Sequence, residues 1–256
     1  GLSDDEVLDL VREALKNNRV DLFVQPIVSL PQRKRRHYEC FSRIRGEDDG
    51  ILTPDQYIAI AEREGLMSAI DNMLLFRGVQ LVRRLQKHNA DAGIFVNISE
   101  HTLADMKFLR EFVGFMAANK DLAPYLVFEL SQASLERHAD DGLVELGKLG
   151  RLGFRLSMDQ VTNFDFDVAA LGQMHVRFIK IDAALLSAQM KSVNQRLDMQ
   201  AFKRVLDRHA IDLIVEKIDG EYMVFVNDGN LPRLRLSRSY QARRCGRSSR
   251  AMSSVK

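Results

Sequence analysis

Cysteine is nearly absent from this chain. Cys40 and Cys245 lie in unlike settings, too few and too far apart for a metal-ligand or disulfide framework, and this fits a reducing compartment. Charge of one sign is lacking too: 37 Lys and Arg face 35 Asp and Glu, a formal net charge of +2. That gives no bulk electrostatic pull toward nucleic acid or a membrane surface, and no DNA partner is expected. No apolar run is long enough to span a bilayer, and no signal peptide is visible. The chain starts at Gly1 rather than Met, as a piece of a larger protein would, with room for a membrane anchor or partner domain elsewhere. At 256 residues and 46% hydrophobic, it can fill the core of one barrel or two small domains.

What is present is a series of short apolar runs that end on polar residues. Phe154–Met158 alternates and ends on Asp159, Ile94–Val96 runs into Asn97, and Leu126–Phe128 into Glu129. Phe178-Ile179 meets Lys180 and Asp182, and Leu213–Val215 ends at Glu216. The stretches between have roughly the length a parallel-strand crossover requires. Parallel strands in such a series point one way, so their terminal polar residues gather on one rim, where a (β/α)8 barrel binds ligands.

In chain order, Asp4–Lys16 repeats Val7, Leu8, Leu10, Val11, Ala14 and Leu15 at helical spacing, with Ser3 as N-cap and Glu6 three residues on. Leu22–Leu30 reads as a strand, and Pro26 within it suggests an edge or a first strand. The basic turn Pro31–Arg36 reads as a solvated hairpin loop rather than an anion site. Glu39, Phe41 and Arg43 share one face of the strand His37–Arg45. A carboxylate and a guanidinium there could form a plain ion pair, or hold a metal and a phosphate; periodicity alone does not choose. Ile70–Leu85 and Leu103–Met116 read as scaffold helices. Asp182–His209 reads as one long helical connection, whose polar faces are open to a homodimer partner although exposed helix is the favoured reading.

These segments resemble the EAL domain family. Gln25-Pro26-Ile27-Val28 matches Q-P-I-V, and Glu39-Cys40-Phe41-Ser42-Arg43 matches E-A-L-x-R. Leu52–Ile58 through Ala61-Glu62 to Gly65-Leu66 is similar to the helix and loop that follow. Val96–Ser99 matches V-N-L-S, Phe128–Ser131 the E-[IV]-T-E segment, Lys180-Ile181-Asp182 K-I-D, and Val215-Glu216 the start of A-E-G-V-E. Seven matches in order, from roughly Asp4 to Glu216, make the resemblance specific. It implies an α/β fold, a (β/α)8 TIM-like barrel whose first strand is antiparallel. Residues 1–220 are expected to form the barrel domain and 221–256 an atypical basic tail.

The resemblance also implies a chemistry. Active members linearise cyclic di-GMP with two divalent cations, usually magnesium or manganese, and hard cations prefer carboxylate and amide oxygens. By position, Glu39, Asn97, Glu129 and Asp159 match metal ligands. Lys180 matches the lysine that orients the attacking water, and Glu216 a further catalytic carboxylate. Gln25, Arg43 and Asp182 match positions on the dinucleotide side of the site.

The departures from the pattern bear on activity. The D-D-F-G-T-G segment is Asp159-Gln160-Val161-Thr162-Asn163-Phe164 here, so an amide replaces a carboxylate of the second metal, and the loop glycines are missing. Gln132 stands where a glutamate anchors that loop, which implies a lost anchor, and Asp219 stands at the later glutamate of A-E-G-V-E. Cys40 and Phe41 replace the A-L of the name motif. After Glu216 the family's helix and glutamine-bearing last strand are absent. Tyr222–Val226 is apolar but too close to the preceding strand for a crossover, and Asp219-Gly220 suits a hairpin turn. From Leu231 the chain carries Arg233, Arg235, Arg238, Arg243, Arg244, Arg247, Arg250 and Lys256 without an acid, read as a disordered tail or altered terminus rather than a nucleic-acid arm. The expectation is a barrel with an aberrant or incomplete C-terminal unit that binds cyclic di-GMP as a receptor in the bacterial cytoplasm, within a longer, membrane-tethered protein. The alternatives are a working phosphodiesterase and a protein-interaction scaffold. The Ser29–Lys34 turn and degenerate Asp159 loop look like those of TipF-like receptors associated with flagellar assembly, which implies flagellar or other protein partners.

Overall fold

The structure, a computed structural model, describes residues 1–29, 34–48, 50–87, 92–137, 141–194, 196–218 and 222–226. Ten α-helices and nine strands follow in the order α1 (Asp4–Lys16), β1 (Val20–Ser29), β2 (Lys34–Arg45), β3 (Ile51–Leu52), α2 (Pro54–Arg63), α3 (Met67–Lys87), β4 (Gly93–Asn97), α4 (Glu100–Ala104), α5 (Met106–Ala117), β5 (Leu126–Ser131), α6 (Gln132–Glu136), α7 (Asp141–Arg151), β6 (Arg155–Asp159), α8 (Val168–Gln173), β7 (Val176–Asp182), α9 (Ala183–Lys191), α10 (Met199–Arg208), β8 (Asp212–Ile218) and β9 (Tyr222–Val226) among the described residues, with a 3-10 helix at Lys120–Tyr125. Strands β2, β4, β5, β6, β7 and β8 pair parallel in succession. The first strand runs antiparallel to β2, from Val20 opposite Ile44 to Ser29 opposite Lys34, with one register shift between Ile27 and Val28. This is the inverted first strand that the resemblance implied.

The last unit is a strand without its helix. Only a hairpin's length separates β8 from β9, too short for a crossover, and the two pair antiparallel as that spacing requires. On its other side β9 pairs parallel with β1, so the pairing continues around the ring from β1 through β2 and back to β1. The C-terminal unit is aberrant, as expected: the eighth strand position is filled in reversed direction, with too few residues before it for a crossover helix. The expected boundary at 220 falls between β8 and β9. Of the expected basic turn Pro31–Arg36, residues 31–33 lie outside the described residues and Lys34–Arg36 belong to β2, a correction to the loop reading; the turn residues Asp219-Gly220 and the tail from 227 also lie outside the described residues.

Helix boundaries follow from capping chemistry. Ser3 and Glu6 form a reciprocal capping box on α1, and the helix buries Val7, Val11 and Ala14 along one stripe. Each buried valine contributes on the order of 1.5–3 kcal/mol. Aspartates set boundaries that periodicity missed. Asp105 breaks the expected Leu103–Met116 helix, because its side chain accepts the Phe108 N–H and starts α5. Likewise the expected long helix from Asp182 to His209 is two helices, with Asp198 accepting the Gln200 and Ala201 N–H groups at the start of α10. A side-chain acceptor that satisfies orphan helix donors makes a new start cheaper than continuation.

The helix ends carry a testable detail. At the end of α10 the Ile211 N–H bonds to the Leu206 carbonyl and the Ala210 N–H to that of Asp207, with Ala210 at φ 54°. The same Schellman pattern closes α7 through Gly153 at φ 96°. Alanine bears a steric cost in the left-handed region that glycine escapes. Ala210→Gly should therefore stabilise the fold by about 1 kcal/mol, seen as a higher urea midpoint. A lower midpoint would contradict this end geometry.

The core lies mainly between the sheet and its helices, from Ile94, Phe128, Leu156 and Ile179 outward to Leu109, Phe112, Leu146 and Leu206. A second cluster joins α1, α2 and the start of α3 to β1–β3. Inside the barrel, Ile27, Phe95, Val127, Phe178 and Ile214 form a small apolar layer. That layer is the apolar floor beneath the site.

Candidate functional site

Above the floor, side chains from several strands converge. Glu39 of β2, Glu129 of β5 and Asp159 at the end of β6 each bring a carboxylate oxygen to a common point, all within 4.8 Å of one another. The strands are staggered in register: Glu39 pairs with Phe95, Glu129 with Asn97 and Ser157, and Asp159 with Ser131, so each successive acid stands two residues further along the sheet. Lys180 of β7 enters the same cluster, its Nζ 2.5 Å from Glu129, 3.1 Å from Glu39 and 4.0 Å from Glu216. It also stands 5.1 Å over the Phe95 ring. Lys180 thus makes close ion pairs with Glu129 and Glu39 inside the protein.

Burial and charge act against each other here. Glu129 and Lys180 are fully buried and Glu39 nearly so. Burial pushes the Glu129 carboxyl well above its ordinary range; Lys180 pulls it down, while Glu39 and Asp159 push it further up. Glu39 is raised by the same desolvation, opposed by Lys180. For Lys180 burial favours the neutral amine, yet Glu129, Glu39, Asp159 and Glu216 together outweigh it and hold the ammonium charged. A buried cluster with more acids than bases can take a hard divalent cation or a donor-rich ligand.

The wall of the site is built by β1 and β2. Gln25 faces Glu39, Phe23 faces Phe41, and Asp21 faces Arg43 across the antiparallel pair. The Arg43 guanidinium lies over both phenyl rings, 5.4 Å from the centre of Phe23 and 6.0 Å from that of Phe41. Sequence reasoning placed Arg43 but missed Phe23, although alternation along β1 puts Asp21, Phe23 and Gln25 on one face. On the opposite side Asp182, paired in register with Glu216, accepts the Ala184 N–H and starts α9.

The loop after β6 corrects one expectation. The implied anchor is not lost: buried Gln132 accepts the Thr162 N–H at 2.9 Å and donates to Asn163 Oδ1 at 2.9 Å. The amide keeps the contact that a carboxylate could make and adds a donor, which Asn163 accepts. Phe164 and Phe166 pack on each other and on Phe202 of α10, so this loop is held at two points. Gln160 itself sits at φ 51° with an exposed side chain, and its backbone N–H donates to Asp159 Oδ1 at 2.6 Å.

Comparison with known proteins agrees with this geometry. A family model described as the EAL domain matches residues 9–224. The cyclic di-GMP phosphodiesterase PdeF of Escherichia coli is 23% identical over 194 residues, 76% of this chain and 25% of its own length. The cyclic di-GMP phosphodiesterase NbdA of Pseudomonas aeruginosa is 25% identical over 177 residues, 69% of this chain and 23% of its own. The chain thus spans about a quarter of these curated relatives. Among solved structures, the FimX EAL domain of Xanthomonas citri in complex with c-diGMP superposes with a TM-score of 0.71 at 15% identity, covering 90% of this chain and 96% of that one. The PaMucR phosphodiesterase–c-di-GMP complex gives 0.69 at 22% identity, covering 86% and 94%.

Proposed function

The chain belongs to the EAL domain family, and on that premise we propose that it binds cyclic di-GMP as a signalling receptor with little or no hydrolysis. One observation carries the reading: the buried cluster of Glu39, Glu129, Asp159 and Lys180 is assembled, while the position beside Asp159 is an exposed amide, Gln160. In this reading Glu39, Asn97, Glu129 and Asp159 hold magnesium or manganese, and Gln25, Arg43 and Asp182 contact the dinucleotide. Their hard oxygen donors fit such an ion. When bound, a divalent cation supplies charge neutralisation at a phosphodiester and a more acidic water. Lys180 and Glu216 occupy the catalytic positions, with Lys180 holding a fixed positive charge at the cluster.

The alternative, a working metal-dependent phosphodiesterase, is favoured by the Gln132 contacts that keep the site loop in place. Product analysis separates the two. After incubation with cyclic di-GMP and magnesium or manganese, the nucleotide should be recovered cyclic; conversion to linear pGpG at the rate of intact family members would overturn the receptor reading.

Arg43 offers a sharper check on the ligand side. Its guanidinium is set against two rings and can grip a phosphate through two hydrogen bonds. Arg43→Ala should weaken cyclic di-GMP binding at least tenfold, about 1.4 kcal/mol; unchanged affinity in a folded variant removes this role. As a receptor, the domain passes its state on through protein contacts. A flagellar partner of the TipF-like kind, a homodimer and a place on the cytoplasmic side of a membrane-tethered protein are the corresponding proposals. Ligand that binds only the folded state must raise the melting temperature with concentration.

A further inference from the structure

We propose that Tyr57 of α2 and Ser42 of β2 are positioning residues that set the pose of the Arg43 guanidinium from the helix side of the strand. The inference deepens the receptor reading, on which its ligand readout rests, while the pose itself is measured without ligand.

Side chains alternate along β2. Glu39, Phe41 and Arg43 face the site, whereas Cys40, Ser42 and Ile44 face the helices, Cys40 in the main core and Ile44 in the cluster beneath α1 and α2. A serine on that face brings a hydroxyl against an apolar layer, which is costly unless the hydroxyl finds a partner. Tyr57 supplies it. Its ring is fully buried in the same cluster, and its hydroxyl is hydrogen-bonded to the Ser42 hydroxyl. The Tyr57 O–H also donates to the Ser42 carbonyl at 3.3 Å. A hydroxyl has one hydrogen to give, so with Tyr57 donating to the carbonyl, Ser42 Oγ donates to the phenol oxygen. Burial pushes the Tyr57 phenol up from its ordinary range, which keeps that donor protonated.

The same carbonyl accepts Arg43 Nη1 at 2.9 Å. Ser42 lies in the stretch of β2 between its pairing with β4, which ends at Glu39, and its pairing with β3, which starts at Ile44. The Arg43 guanidinium lies over the Phe23 and Phe41 rings. A cation tolerates sliding across a ring face, whereas a hydrogen bond weakens steeply off its axis. The rings therefore set the height of the guanidinium and the Ser42 carbonyl sets its place. Taking away the phenol oxygen leaves the Ser42 hydroxyl to seek another acceptor and lets the carbonyl tilt, and Arg43 moves with it.

Tyr57→Phe removes one oxygen and keeps the ring. In the ligand-free chain with isotope-labelled arginine, the Arg43 Nε–H resonance, assigned by its loss in Arg43→Ala, should shift in Tyr57→Phe as the guanidinium moves over the two rings. Titration with cyclic di-GMP in chelator should show binding weakened about three- to tenfold by Tyr57→Phe, and no further loss when the same change is made in Arg43→Ala. Equal weakening in both backgrounds would mean that the phenol only stiffens the wall, and would overturn the proposal. An unmoved Arg43 resonance in the folded variant would overturn it too. If Tyr57→Phe does not fold, Ser42→Ala removes the partner of the phenol and carries the same two expectations. A parent chain that binds no nucleotide would sink the receptor reading alone, and the Arg43 resonance would then decide the positioning by itself.

Discussion

Replacing Lys180 by methionine should destabilise the fold by about 3–5 kcal/mol at neutral pH, the usual consequence of leaving buried charges without their partner. Glu129 and Glu39 would lose the ammonium 2.5 and 3.1 Å away. The loss should depend on pH in a definite direction. Burial already raises both carboxyls above their ordinary values, and Lys180 is the group that opposes it. Without Lys180 their folded pKa values rise further, so the folded state holds protons that the unfolded state releases. Such a group costs nothing below its unfolded pKa and progressively more as pH climbs through the folded value. Urea denaturation at pH 5 and pH 8 should therefore show the larger deficit at pH 8. In a Glu129→Gln background the same Lys180 substitution should cost less; equal costs would mean that the two charges are not coupled.

Asp71 should show the next largest effect, through the turn that follows Asn97. It lies buried on α3, where Oδ2 accepts the Ser99 N–H at 3.1 Å and the Thr102 hydroxyl at 2.9 Å. Asp71→Ala leaves both donors unsatisfied and should cost about 2–4 kcal/mol. Burial raises the Asp71 carboxyl, and the hydrogen bonds from Ser99 and Thr102 only partly offset it. An acid whose folded pKa is raised contributes most below its unfolded value, and that contribution declines as pH rises through the folded value. Asp71→Asn keeps an acceptor without the charge. Measured against the parent, it should gain in relative stability between pH 4 and pH 7; a constant difference would contradict the buried charge.

How much of this was legible in the sequence follows from the range of each interaction. Polar residues at strand ends are a local signal, and Glu129, Asp159 and Lys180 do converge, joined by Glu39, which alternation and its motif placed in mid-strand. Helix α1 was legible down to its cap, because Ser3 and Glu6 lie within one turn. The split between α9 and α10 was missed because apolar spacing continues across it while one side chain, Asp198, decides the start. Gln132 was misread because a change from acid to amide alters charge but not reach. The position of β9 rests on pairing with β1, nearly 200 residues earlier in the chain, and no local pattern encodes a partner at that separation. The hairpin spacing did encode its direction relative to β8.

The most direct test of the receptor reading is calorimetric titration of the purified chain with cyclic di-GMP, in chelator and then with added manganese. The account predicts saturable binding by the folded chain, weakened at least tenfold by Arg43→Ala, with the nucleotide recovered intact afterwards. A folded chain that gives no heat of binding in either condition would contradict it and leave a scaffold that takes no nucleotide.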